Sequence, residues 1–282
     1  MFFERFPGSG YVCAHRGARS IAPENTMSAL QAAVDAKADF WELDVQKTAD
    51  GALVVFHDDF LNRTTDIHTH TQFLDRQPWP VSHFTIEELR QLNAGSWFLA
   101  GDPHGTITRG EIAPEILPQM GEEGIPTLDA VLECSRKNAF PINIEIKDQI
   151  ASPGDVSIVR DVYDAMQRTK TRDMVLISSF NHEYLRIMHR IDPDVPLAAL
   201  VEEKHPDDLL SYLQSLGACG YHPDQAIIDT EFVQTLAGQG IKVSPYTVND
   251  MDWACALLEA GCFSVITDFP QTLRRRLTAH SM

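Results

Sequence analysis

Three carboxylates, two imidazoles and two cations stand in this sequence where strand geometry is able to bring them together. Glu42 and Asp44 lie two residues apart in the apolar run Phe40–Val45, and side chains at i and i+2 of a strand project to one side. Asn143, Glu145 and Lys147 repeat that spacing in Ile142–Lys147. Their neighbours Trp41, Leu43, Ile144 and Ile146 are apolar, so each polar face must meet compensating charge, because an unpaired buried ion is costly. Three acidic oxygens with no thiolate or His cluster among them make a hard site, one that favours Mg2+ or Ca2+, with Mn2+ also admissible, over zinc. The plain alternative is a structural Glu–Lys ion pair across the interior. His15 and His57 each close a candidate strand, beside Arg16 and Asp58. Singly, each reads as an ordinary surface group. Together they read as general acid and general base on opposite sides of one reacting centre, since imidazole titrates near neutral pH. Arg16 and Lys147 put fixed positive charge into a strongly acidic chain, which suits an anion held between them, phosphate first. Arg16 also has Glu24 available as an ion-pair partner.

The elements that must position these groups follow from the apolar pattern. The chain has 282 residues, 44% of them hydrophobic, enough for a substantial core. Candidate strands are Tyr11–Arg16, Phe40–Val45, Leu53–His57, Ile142–Lys147, Met174–Phe180, Pro196–Val201, Ala218–His222, Lys242–Val248 and Ser264–Asp268. Helix-like segments separate most of them, the signature of parallel strands with crossovers. The third strand is the exception: Thr48-Ala49-Asp50-Gly51 precedes it, Asp-Gly is a hairpin signal, and too few residues remain for a parallel crossover. It is expected to return antiparallel from an overlong second strand. Eight strands are then left, and a single (β/α)8 TIM barrel, which commonly takes about 250 residues, is expected over residues 1–282. Asn25 or Thr26 is expected to cap a helix presenting Met27, Leu30 and Val34; further helices are expected near Glu231–Gly240 and Met251–Ala260. Residues 66–125, rich in Pro, Gly and His with one helix-like piece at Thr85–Leu92, read as an insertion on the barrel rim that shapes the pocket mouth.

Composition excludes other roles. Lys plus Arg number 23 against 40 Asp plus Glu, a formal charge of −17 that repels phosphate backbones and argues against nucleic-acid binding. No apolar stretch is long enough for a membrane-spanning segment. Met1–Ala14 is broken by Pro and Gly, unlike an export signal. The five cysteines lack a Cys-x-x-Cys pair, which fits reduced, mostly buried thiols in a cytoplasmic protein.

The ordered motifs carry a resemblance. His15-Arg16-Gly17 with Pro23-Glu24-Asn25-Thr26, Glu42-Leu43-Asp44-Val45, Thr48-x-Asp50-Gly51, Val55-Phe56-His57-Asp58, Ala94-Gly95-Ser96-Trp97-Phe98, Asn143-Ile144-Glu145-Ile146-Lys147, Ser178-Ser179-Phe180, Tyr246-Thr247-Val248-Asn249 and Ile266-Thr267-Asp268-x-Pro270 together resemble the glycerophosphodiester phosphodiesterase family over nearly the whole chain. The resemblance implies hydrolysis of a small-molecule glycerophosphodiester to sn-glycerol 3-phosphate and an alcohol. It also implies a divalent ion on Glu42, Asp44 and Glu145, acid–base work by His15 and His57, and phosphate binding by Arg16 and Lys147. Tyr246 stands where many members carry Trp; an aromatic face against the glycerol carbons survives, with less area. Gly261-Cys262-Phe263-Ser264 departs from the commoner Gly-Val-Asp-Gly, a change in packing. Two other readings are weighed. One is a lysophospholipase D on the same site, with Phe73, Leu74, Trp79 and Phe84 available to an acyl chain. The other is a lyase that uses Lys147 as a Schiff-base amine.

Overall fold

The computed structural model describes residues 1–280. Among the described residues nine strands occur: β1 (Tyr11–Ala14), β2 (Phe40–Lys47), β3 (Leu53–Val55), β4 (Ile142–Ile146), β5 (Val175–Ser179), β6 (Leu197–Val201), β7 (Gly220–Pro223), β8 (Lys242–Val243) and β9 (Ser264–Thr267). Eight of them run parallel in the order β8-β7-β6-β5-β4-β2-β1-β9. Backbone bonds from Phe263 N to Val243 O (2.8 Å) and from Ile266 N to Pro245 O (3.0 Å) join the two ends. The architecture is therefore a (β/α)8 barrel. β3 pairs antiparallel with the end of β2, Val45 opposite Val55 and Lys47 opposite Leu53, as the Asp-Gly turn requires. β8 is shorter than expected. Pro245 has no N–H to give to a ladder, yet the chain follows the barrel wall through Ser244 N to Tyr221 O (2.9 Å) and Tyr246 N to Pro223 O (3.1 Å).

Alternation along each strand sorts the side chains. Trp41, Leu43, Val45, Ile142, Ile144 and Ile146 point outward into the main core beneath the helices. Glu42, Asp44, Asn143 and Glu145, on the opposite face, point inward and are buried. At the amino ends of the strands the interior is apolar: Phe2 and Phe6 plug it against Cys13, Phe40, Leu176 and Phe263, with Phe2 edge-on to Phe40 at 5.2 Å. Apolar packing thus closes one end and leaves the polar groups at the other, where (β/α)8 enzymes carry their sites.

The helices start where capping residues satisfy their first N–H groups. Thr26 accepts from Ala29 N to begin Met27–Asp35, Asp229 from Phe232 N for Thr230–Gly238, and Asp250 from Trp253 N for Met251–Glu259; each such cap is worth about 1 kcal/mol. Between β3 and β4 the expected helix at Thr85–Leu92 is a single turn, Ile86–Leu89, begun by a reciprocal Thr85–Glu88 box. This stretch has a core of its own, made by Ile67, Phe73, Trp79, Val81, Phe84 and Leu89 against Val54 and Phe56. Phe73, Trp79 and Phe84 are spent on that core and offer no groove for an acyl chain; only Leu74 of the four is exposed. The thiols are all free, but only Cys13 and Cys262 are buried, fewer than expected. No described helix is long and apolar enough to cross a membrane.

Candidate active site

The in-register pairing of β2 with β4 sets Asp44 beside Glu145 and Glu42 beside Asn143. One acidic oxygen from each of Glu42, Asp44 and Glu145 lies within 4.8 Å of the others. Burial and the charges of its two acidic neighbours push the Glu42 carboxyl well up. Burial raises Glu145 as well, against the pull of Lys147. Asp44 is the opposite case: burial opposes its charge, but His57, Arg16 and Lys147 hold its carboxyl well below the usual range. Asp44 Oδ1 is buried with no hydrogen-bond partner, a lone acceptor in a place where an orphan is expensive. Three converging oxygens, two of them made reluctant to ionise chiefly by burial, fit a divalent cation.

A left-handed turn after β1 aims the next groups. Arg16 has φ +53° and Gly17 φ +84°. The Arg16 amide donates to Glu42 Oε2 (2.9 Å), while its guanidinium binds Glu24 Oε1 (2.8 Å) and lies 3.4 Å from Asp44 Oδ2. The expected ion pair with Glu24 and a place beside the acidic cluster therefore coexist. Lys147 Nζ is 2.8 Å from Glu145 and 3.7 Å from Asp44; burial works against its charge, but those carboxylates drive its pKa up.

Each histidine is held through Nδ1 by a carboxylate at 2.6 Å, His15 by Asp268 and His57 by Asp58. A ring anchored at Nδ1 keeps Nε2 for the other side. Burial and the neighbouring Arg16 push His15 down to about 4, in spite of Asp268. Asp58, though half buried, is lowered to about 2 by its bonds to His57 and Arg63. His15, Arg16, Glu42, His57, Glu145 and Lys147 all line one cavity of about 610 Å³. Its far wall carries Tyr246, edge-on to Phe180 at 5.8 Å, together with Leu200, Glu202 and Asp224. No residue of 66–125 lines this cavity.

Sequence reasoning missed the anchors. Asn25 Nδ2 donates to Asp44 Oδ2 (2.9 Å), and Asn249 Nδ2 to Asp268 Oδ2 (2.8 Å). Asp268 stood within the quoted motifs without a role, and Asn25 was read only as a candidate helix cap, a place that Thr26 takes. Arg19 and Arg63, which contact Glu24, had no local signal at all.

Comparison with known proteins fits this geometry. The model of the Glycerophosphoryl diester phosphodiesterase family matches residues 15–272. A Bacillus altitudinis protein named glycerophosphodiester phosphodiesterase is 34% identical over 264 residues, covering 92% of this chain and 94% of its own. One of the same name from Caldanaerobacter subterraneus subsp. tengcongensis is 34% identical, covering 93% and 95%. Among solved structures, an Oleispira antarctica phosphodiesterase in complex with the product sn-glycerol-3-phosphate superposes with a TM-score of 0.78 at 27% identity, over 98% of both chains. A Silicibacter pomeroyi structure superposes at 0.83 with 24% identity, over 98% and 95%, and supports the fold. With motif, barrel and relatives agreeing from one end of the chain to the other, this protein belongs to the glycerophosphoryl diester phosphodiesterase family and is a phosphoric diester hydrolase.

Proposed function

We propose that the chain hydrolyses glycerophosphodiesters to sn-glycerol 3-phosphate and an alcohol, using a divalent cation on Glu42, Asp44 and Glu145 and proton transfer by His15 and His57. One observation carries the reading: three buried acidic oxygens lie within 4.8 Å of one another, and Glu42 and Glu145 of that cluster line one cavity with both imidazoles, Arg16 and Lys147. Bound there, the ion would draw charge from a phosphoryl oxygen. Arg16 and Lys147, both held charged by carboxylates, grip the phosphate and offset charge that grows at phosphorus. One imidazole takes the proton of the attacking oxygen, from water or from the substrate's own neighbouring hydroxyl. The other delivers a proton to the departing alkoxide. Tyr246 lays its ring along the glycerol carbons.

The ion pairs of Lys147 count against a Schiff-base lyase. Its nearest carboxylate, 2.8 Å away, stabilises the ammonium form, whereas imine formation needs the neutral amine. A coupled assay for glycerol 3-phosphate release over a panel of head groups, with and without chelator, tests the proposal. Release from glycerophosphocholine or glycerophosphoethanolamine should stop with EDTA and return with Mg2+, Ca2+ or Mn2+. Chelator-insensitive turnover, or release of the alcohol as its phosphate, would refute it.

A further inference from the structure

A buried carboxylate that the proposed chemistry does not use sits behind the site. Glu24, 6% exposed, receives three guanidinium groups: Arg16 on Oε1 (2.8 Å), Arg19 on Oε2 (2.8 Å), and Arg63 on Oε1 (2.7 Å) and Oε2 (3.1 Å). Each of these arginines reaches a second carboxylate. Arg16 lies 3.4 Å from Asp44 in the acidic cluster. Arg19 lies 3.6 Å from Asp268, the partner of His15. Arg63 forks onto Asp58, the partner of His57, with Nη2 to Oδ1 at 2.9 Å. Charges alternate outward from Glu24 along all three arms, and each arm ends on a group assigned a part in the reaction.

We infer that Glu24 is a positioning residue, the common anchor that holds both histidines and Arg16 in one register. This rests on the acid–base reading of His15 and His57 above. Without the charge of the buried Glu24, three guanidinium groups, that of Arg63 exposed and those of Arg16 and Arg19 half-buried, converge on one point with no common anion. They spread, and Asp58 and Asp268 move with them. A shift of about 1 Å at a reacting group costs roughly 100-fold in rate.

Two substrates separate the arms. The choline of glycerophosphocholine needs a proton to leave; the aryloxide of a glycerophospho-4-nitrophenyl ester does not, so loss of the general acid is relieved on the second substrate only. Arg19→Gln and Arg63→Gln should each lower kcat on glycerophosphocholine by roughly 10- to 100-fold, and only one of them should recover on the aryl ester. Glu24→Gln should lower kcat on both substrates while circular dichroism stays native. Adding either arginine change to Glu24→Gln should cost less than that change costs alone. A folded Glu24→Gln enzyme with kcat within about twofold of wild type would overturn the inference, as would penalties that simply multiply. If Glu24→Gln does not fold, the arginine variants decide: equal losses on both substrates would show that the arms do not serve different histidines. His15→Ala and His57→Ala run alongside. Full activity in those would sink the acid–base reading itself, whereas their inactivation beside an unaffected Glu24→Gln would sink the anchor alone.

Discussion

Gly17→Ala tests the turn that aims Arg16, and its cost has two separable parts. Gly17 holds φ +84°, a left-handed conformation that costs an L-residue about 1–2 kcal/mol. A Cβ added there would also stand 2.6 Å from Ala29 Cβ and 2.7 Å from the Ala29 carbonyl carbon and oxygen. Ala29 belongs to the first turn of the Met27–Asp35 helix, so the obstruction is backbone and cannot swing aside; overpacking of this kind adds about 1–3 kcal/mol. The sum is a loss of about 2–5 kcal/mol in stability. Gly10 supplies the control: φ +92° with nothing within 4 Å of its added Cβ, hence strain alone, about 1–2 kcal/mol in Gly10→Ala. Urea unfolding of the two variants and the parent reads both terms. Because the same turn places the Arg16 amide on Glu42, Gly17→Ala should also lose up to roughly 100-fold in turnover while Gly10→Ala stays near the parent. Equal destabilisation in both would refute the close packing of this turn against the helix.

Three other outcomes are expected. Glu42→Ala, Asp44→Ala and Glu145→Ala should each abolish stimulation by divalent ions together with activity, read by calorimetric titration of Mg2+ or Ca2+ and by product release; full metal-stimulated hydrolysis in any one removes that residue from the ligand set. His15→Ala and His57→Ala should lower kcat by roughly 100- to 10,000-fold with the fold intact, and wild-type rates in either would overturn its assignment. Folded His15 titrates at about 4 instead of the ordinary 6.5, so between those values the unfolded chain carries a proton that the folded chain does not. This contribution to stability is present above pH 6.5 and is lost as pH falls toward 4, up to about 3 kcal/mol. His15→Gln should flatten that part of the stability curve relative to the parent; an unchanged slope would mean that another group is responsible.

The barrel was readable because its signals are local and redundant. Apolar runs at regular spacing, the helix-like segments between them, and Asp50-Gly51 after β2 each follow from neighbours in the chain, and together they produced the eight-strand count. Where a strand deviated, one residue did it: Pro245 removed a ladder donor, so β8 stops at Val243. Residues 66–125 were read as irregular with one helix-like piece, but the structure adds short helices at Ser96–Gly101 and Leu117–Gly121, and the hydrophobic residues of this stretch were offered to a ligand. Composition does not distinguish a side chain facing a pocket from one facing a neighbouring loop. Phe73 against Phe84 at 5.3 Å is a contact that no spacing rule contains.

The site divides along the same line. Glu42 with Asp44, and Asn143 with Glu145, were paired by period-two alternation, and the parallel register of β2 on β4 brings the pairs together without help from the loops. What holds these groups at their working angles depends on separations no periodicity spans: His15 to Asp268 across 253 positions, Arg63 to Glu24 across 39. Those bonds exist because the barrel closes β9 onto β1 and because the segment after β3 lays Arg63 over the Glu24 loop. The chemistry-bearing residue types are thus dictated locally, by which face of a strand they occupy. Their orientation is a property of closure, legible only once the ends of the sheet meet. A substitution at Arg63 or Arg19 should accordingly leave the acidic cluster's affinity for cations almost untouched while it lowers turnover, a split that calorimetry and kinetics on the same variants can resolve.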